Sequence, residues 1–154
     1  MIHREEEGVS SQVTAIVIKE DLTGMIKGHV AECKGPRDEW LLKRVIKDIE
    51  SLGRSNVILK TDGEPAMIAL QSRLIAMQAI GQMVPENPPA YDPKSNGCIE
   101  KAVQDLNARL RTLKVALEAR FGKKLSIKLP MFEWAIGHAA FIHNRFQVGH
   151  DLSL

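Results

Sequence analysis

The sequence predicts an α/β fold, and three features predict it. Two short apolar runs rich in β-branched residues, Val13 to Lys19 and Ser55 to Thr61, have the length and composition of strands. Four longer stretches, residues 37–52, 65–80, 95–121 and 130–146, read as helices, and in the first and third the apolar residues recur at three- and four-residue steps, the period of a helix with one packed face. The segments between them are rich in Gly, Pro, Asn and Asp, residues that end elements and make turns. At 154 residues the chain is expected to form one domain, large enough to bury a core.

Composition narrows the class further. Hydrophobic residues make up 44% and charged residues 26%, ordinary values for a globular protein. No stretch approaches the roughly 20 consecutive apolar residues of a membrane span, so no membrane partner is expected. The start, Ile2-His3-Arg4-Glu5-Glu6-Glu7, lacks the basic-then-apolar pattern of a signal peptide. With only Cys33 and Cys98 a disulfide framework is not expected, which suits a reducing, intracellular compartment. Charge is unevenly spread. Residues 1–93 are net acidic, whereas residues 94–154 hold twice as many Lys and Arg as Asp and Glu. A basic half suits a phosphate backbone, although a solvated helix face explains the same residues equally well.

In chain order, residues 5–12 read as a charged loop and Val13 to Lys19 as a strand buried on both faces. Glu20-Asp21-Leu22-Thr23-Gly24 has turn chemistry, and Met25 to Cys33 returns as the second arm of a hairpin, its alternation weakened by Gly28. A helix follows with Leu41, Val45, Ile49 and Leu52 on one face and Gly53 as its stop. Ser55 to Thr61 is the next strand. Pro65 fits the first turn of a helix running to about Ile80, because that position needs no N–H donor. Gly81 to Val84 reads as a short edge strand, and residues 85–95, with four prolines, as a loop. In the long helix of residues 95–121, Ile99, Val103, Leu106, Leu110, Leu113 and Leu117 form an apolar stripe. Glu100, Gln104, Asn107, Arg111 and Lys114 form a polar stripe beside it. The last helix carries Phe132, Trp134, Ile136, Ala139, Ala140 and Ile142, and its His138 and His143 read as structural.

The stretch from Val57 to Glu100 organises the rest. Its strand delivers Asp62 into a Thr-Asp-Gly-Glu-Pro turn, and Glu100 enters the first turn of the long helix. Taken singly, Asp62-Gly63 is an ordinary turn, Asn96-Gly97 an ordinary helix entry, and Glu100 a complement to the helix dipole. In ordered combination they point to two carboxylates gathered around a divalent metal. The Asp62-Gly63 turn after a strand, followed by Ser95-Asn96-Gly97-x-x-Glu100 with Pro93-Lys94 leading in, resembles the catalytic core of retroviral and retrotransposon integrases, in the ribonuclease-H-like superfamily. The Leu22-Thr23-Gly24 hairpin turn, Trp134-Ala135, Ala139-Ala140 and Asn144-Arg145 fall in the order that resemblance requires, and the retrotransposon-type members are the most similar.

The resemblance implies a three-layer ribonuclease-H-like fold, in which a mixed sheet of the hairpin strands and the Asp62 strand is flanked by helices. It implies an Asp-Asp-Glu triad holding Mg²⁺ or Mn²⁺, with Asp62 as the second acid and Glu100 as the third. Such integrases cut DNA ends and join them to target DNA, so element ends and target DNA are the implied partners, with self-association open. The nucleus would be the location in a eukaryotic host. By the same resemblance, residues four and seven positions after the catalytic Glu face DNA, here Gln104 and Asn107, with Arg111 and Lys114 adding charge further along.

The first acid of the triad lacks a counterpart. The resemblance places it on a strand before the hairpin, of which only Met1-Ile2-His3-Arg4 would remain; Asp21 reads as a turn residue and Glu5, Glu6 and Glu7 as solvated charges. The expectation is therefore a core incomplete at both ends, its first strand largely missing, with marginal stability. Two other readings stand beside the integrase: a catalytically dead remnant that binds nucleic acid or self-associates, and a ribonuclease-H-like nuclease without strand transfer.

Overall fold

The computed structural model describes residues 13–78, 81–87 and 96–146. The predicted N-terminal loop, the remnant of the first strand, most of the proline-rich loop and the chain end lie outside the described residues. Among the described residues, four strands and four helices follow in the order β1 (Thr14–Lys19), β2 (Ile26–Ala31), α1 (Glu39–Ser51), β3 (Asn56–Lys60), α2 (Pro65–Met77), β4 (Gln82–Glu86), α3 (Gly97–Phe121) and α4 (Met131–Phe146). The chain divides into two compact units, one of residues 31–97 and one of residues 1–30 with 98–154.

The unit of residues 31–97 is built on a β-α-β crossover. β3 and β4 pair in parallel, from Asn56 opposite Gln82 to Lys60 opposite Glu86, and a parallel pair needs a connection long enough to cross back, which α2 supplies. α1 starts at Asp38, whose Oδ1 accepts the Leu41 N–H at 2.9 Å while Oδ2 accepts the Glu32 N–H at 3.2 Å. One carboxylate thereby caps the helix and holds the chain entering it. α1 buries Leu41, Leu42, Val45 and Ile49, and α2 buries Leu70, Gln71 and Leu74. β4 is longer than the expected edge strand and takes in Pro85. Proline lacks a ladder donor, so it fits a strand with one free edge.

In the other unit, β1 and β2 form a two-stranded sheet. The short connection, closed by Glu20 N–H to Met25 O at 2.8 Å and Gly24 N–H to Glu20 O at 2.9 Å, makes the pair a hairpin. The core gathers Leu106 and Leu110 of α3 with Ala135, Ile136, Ala139 and Ala140 of α4, and Ala15, Val17 and Val30 of the hairpin pack onto it. Gly28 makes that packing close: a Cβ there would stand 2.9 Å from Ile136 Cγ2 and 3.1 Å from Leu106 Cδ2. The glycine that interrupts the strand pattern thus marks a close approach of hairpin and helices.

Two expectations are corrected. β1 is half-buried along its length rather than buried on both faces, since a two-stranded hairpin has one face to cover. Among the described residues the strands form two two-stranded sheets, the hairpin in one and the Asp62 strand with β4 in the other, where one mixed sheet was expected.

Candidate metal and nucleic-acid site

Asp62 stands two residues past the end of β3, in the turn Thr61-Asp62-Gly63-Glu64, and is exposed. The turn is short because α2 begins at Pro65, preorganised for the first helical position. Its flanks are tied down. Lys60 pairs with Glu86 at 3.2 Å across the strands, and Lys34 reaches both carboxylate oxygens of Glu64 at 3.0 Å. Thr61 Oγ1 donates to Asn87 Oδ1 at 3.3 Å. Beneath them lies Gln71, which reading the sequence missed. It is 2% exposed, and its Nε2 donates to Leu59 O at 2.6 Å and to Glu86 O at 3.3 Å. The available signal was a lone amide next to Leu70 and one turn before Leu74, on the face α2 buries.

Glu100 lies in the first turn of α3 and is exposed. Two residues earlier, Cys98 Sγ accepts a hydrogen bond from Lys19 Nζ of β1 at 2.8 Å. Gln104 and Arg111 are exposed along the same helix and Asn107 is half-buried. Lys114 departs from this stripe: it is 5% exposed and continues the buried row of Ala102, Leu106 and Leu110 at four-residue steps. Its Nζ lies 3.6 Å from Glu118 Oε1 and 6.0 Å from the centre of the Phe132 ring. Glu118 also accepts the Leu125 N–H at 2.9 Å and pairs with Lys124 at 3.6 Å. The Leu125 hydrogen bond, joined by the two lysines, holds the Glu118 carboxyl below its usual range against the opposing effect of burial.

Asp62 belongs to the unit of residues 31–97 and Glu100 to the other. Carboxylate oxygens are the right kind of donor for Mg²⁺ or Mn²⁺. Among the described residues no three His, Cys, Asp or Glu side chains gather into a metal-holding group.

No protein-family model matches the chain, and no curated protein does either. Solved structures do. A chain of the simian T-cell lymphotropic virus intasome, in a complex with the PP2A regulatory subunit B56 gamma, aligns over 98% of this chain with a TM-score of 0.69 and 18% identity. The catalytic core domain of BIV integrase aligns over 97% with a TM-score of 0.54 and 20% identity. The chain has the fold of a retroviral integrase catalytic core. It spans 48% of the intasome chain and 84% of the BIV core. Within this integrase-core fold Asp62 follows the first strand of the β-α-β crossover and Glu100 opens the long α3 helix. At these identities the likeness is one of fold, and the chemistry rests on the side chains. No helix among the described residues is long and apolar enough to cross a membrane.

Proposed function

We propose that this chain is the catalytic core of an integrase-type polynucleotidyl transferase from a mobile element, which cuts and joins DNA. The observation that carries the reading is the coincidence of fold and motif. In an integrase-core fold, the strand-end acid is Asp62 and the helix-entry acid is Glu100, the two positions marked by the sequence motifs. In this reading both carboxylates hold divalent metal. When bound, Mg²⁺ or Mn²⁺ supplies Lewis acidity toward the scissile phosphate and its attacking oxygen. The chain's own contribution is to present the two acids on separate elements and to seat nucleic acid along α3. Gln104 and Asn107 offer neutral donors and Arg111 a permanent charge to the backbone. Lys114 stays with Glu118 in the packing.

The test is to incubate the chain with Mg²⁺ or Mn²⁺ and a duplex mimicking an element end. Cleaved or joined product supports the reading. Asp62→Asn and Glu100→Gln should each cost more than the roughly 10–100-fold typical of changing a metal site's outer partners. Product unaffected by both substitutions refutes the assignment. The second reading, a nucleic-acid-binding remnant without activity, predicts DNA binding with no product.

A further inference from the structure

α2 carries an amide where its spacing places an apolar side chain. Gln71 is buried beside Leu70 and Leu74, and a buried amide is retained without penalty only when its hydrogens find acceptors. Its amino group has two hydrogens and two acceptors: Leu59 O at 2.6 Å and Glu86 O at 3.3 Å. These carbonyls belong to β3 and β4, close to where both strands end. One side chain of α2 therefore ties together both strand ends.

Leu59 lies three residues before Asp62, and Pro65, the first residue of α2, lies three after it. The hydrogen bond from Gln71 to Leu59 thus closes a ring of chain with Asp62 on its exposed side. The ion pairs Lys60–Glu86 and Lys34–Glu64 flank the same turn, but their side chains are exposed and water weakens them. The Gln71 bonds are shielded, where a hydrogen bond is electrostatically stronger. Gly63, next to Asp62, leaves the turn free to swing unless something holds its base.

We propose that Gln71 is a positioning residue for Asp62, fixing the strand end that presents the carboxylate to a divalent cation. This rests on the metal-ligand role given to Asp62 above. Groups that orient a ligand without touching the metal commonly change affinity by about 10–100-fold when removed, and Gln71 acts in that way through the backbone from Leu59 to Asp62.

The experiment is a Mn²⁺ titration of the full chain followed by paramagnetic broadening of the Gly63 amide signal, with each variant first shown to be folded by circular dichroism. Wild type should broaden and Asp62→Asn should not. Gln71→Met, which keeps length and apolar volume but loses both donors, should need about ten-fold more Mn²⁺. Leu74→Ala serves as the packing control: it should lower the melting temperature and leave the Mn²⁺ requirement unchanged. If Gln71→Met does not fold, Gln71→Asn, whose amide is drawn back by one methylene, takes its place with the same expectation. A glutamine variant that titrates like wild type overturns the proposal, and so does a Leu74→Ala protein weakened equally. Absence of Gly63 broadening in wild type removes Asp62's role as a ligand and Gln71's with it, an outcome distinct from a wild type that binds and a variant that binds equally well.

Discussion

His143 shows how a single buried side chain makes stability depend on pH. It is 5% exposed, and its Nδ1 has no hydrogen-bond partner among the described residues. Burial pushes its pKa below the usual value, Arg109 of α3 and Lys19 of β1 push the same way, and Asp105 of α3 opposes them. The unfolded chain takes up a proton near the ordinary histidine pKa of about 6.5, while the folded chain does so only at lower pH. Stability from the neutral imidazole is therefore fully present above about pH 6.5 and declines as pH falls toward the folded-state value, by at most about 1.4 kcal/mol per pH unit. Glu118, also lowered, acts in the same direction, but only as pH falls below the ordinary carboxyl range. Urea midpoints measured from pH 7.5 to 5.5 should fall in wild type and stay flatter in His143→Phe. An identical slope in the variant would show that another group sets the dependence. The sequence correctly marked His143 as a packed residue, because its helix is apolar around it. The charges facing it come from β1 and α3, and no local pattern announces them.

At the scale of elements, helices were the most legible part of the chain. The Leu41–Val45–Ile49 spacing marks α1, Pro65 marks the start of α2, and Asn96-Gly97 marks the entry to α3. These are local effects of backbone preference and periodicity. Which face of a helix is buried was less legible. In α3 the fully buried row is Ala102, Leu106, Leu110 and Lys114, rotated from the expected stripe, because small and charged side chains enter the core when a partner is there to meet them. Strand entry likewise depends on a neighbour. Gly81 has φ of +80°, and a Cβ on it would clash with Ser55 O, the carbonyl that accepts the Gln82 N–H at 2.8 Å. Gly81→Ala should cost at least about 1 kcal/mol, reversing the small gain that such a change brings at a permissive site. A thermal melt measures it, and an unchanged midpoint would mean that β4 starts differently. Helix-to-strand ties are similarly invisible in one dimension. Asn144 Oδ1 accepts the Ile26 N–H at 2.8 Å and its Nδ2 donates to Ile26 O at 2.7 Å, joining α4 to β2 as Gln71 joins α2 to β3 and β4.

For the whole molecule, the basic excess of residues 94–154 bears on association with anionic partners more than on fold. In the proposed function, binding to a duplex should weaken as salt rises, because each neutralised phosphate releases counterions. Arg111→Ala should reduce the slope of log affinity against log salt by about 0.9 if that guanidinium meets one phosphate. Fluorescence anisotropy between 50 and 200 mM salt reads this directly, and an unchanged slope places Arg111 away from the backbone. The sequence by itself determined the α/β class, the four helices, the turn that carries Asp62 and the helix entry that carries Glu100, since each follows from the conformational preferences of neighbouring residues. Only tertiary structure decided that β3 pairs with β4, that Gln71 ties their ends together, that Gly28 admits the α3–α4 core and that Lys114 turns inward to Glu118. Those outcomes depend on which distant groups meet, and the energy of a buried hydrogen bond or a close contact exists only once they do.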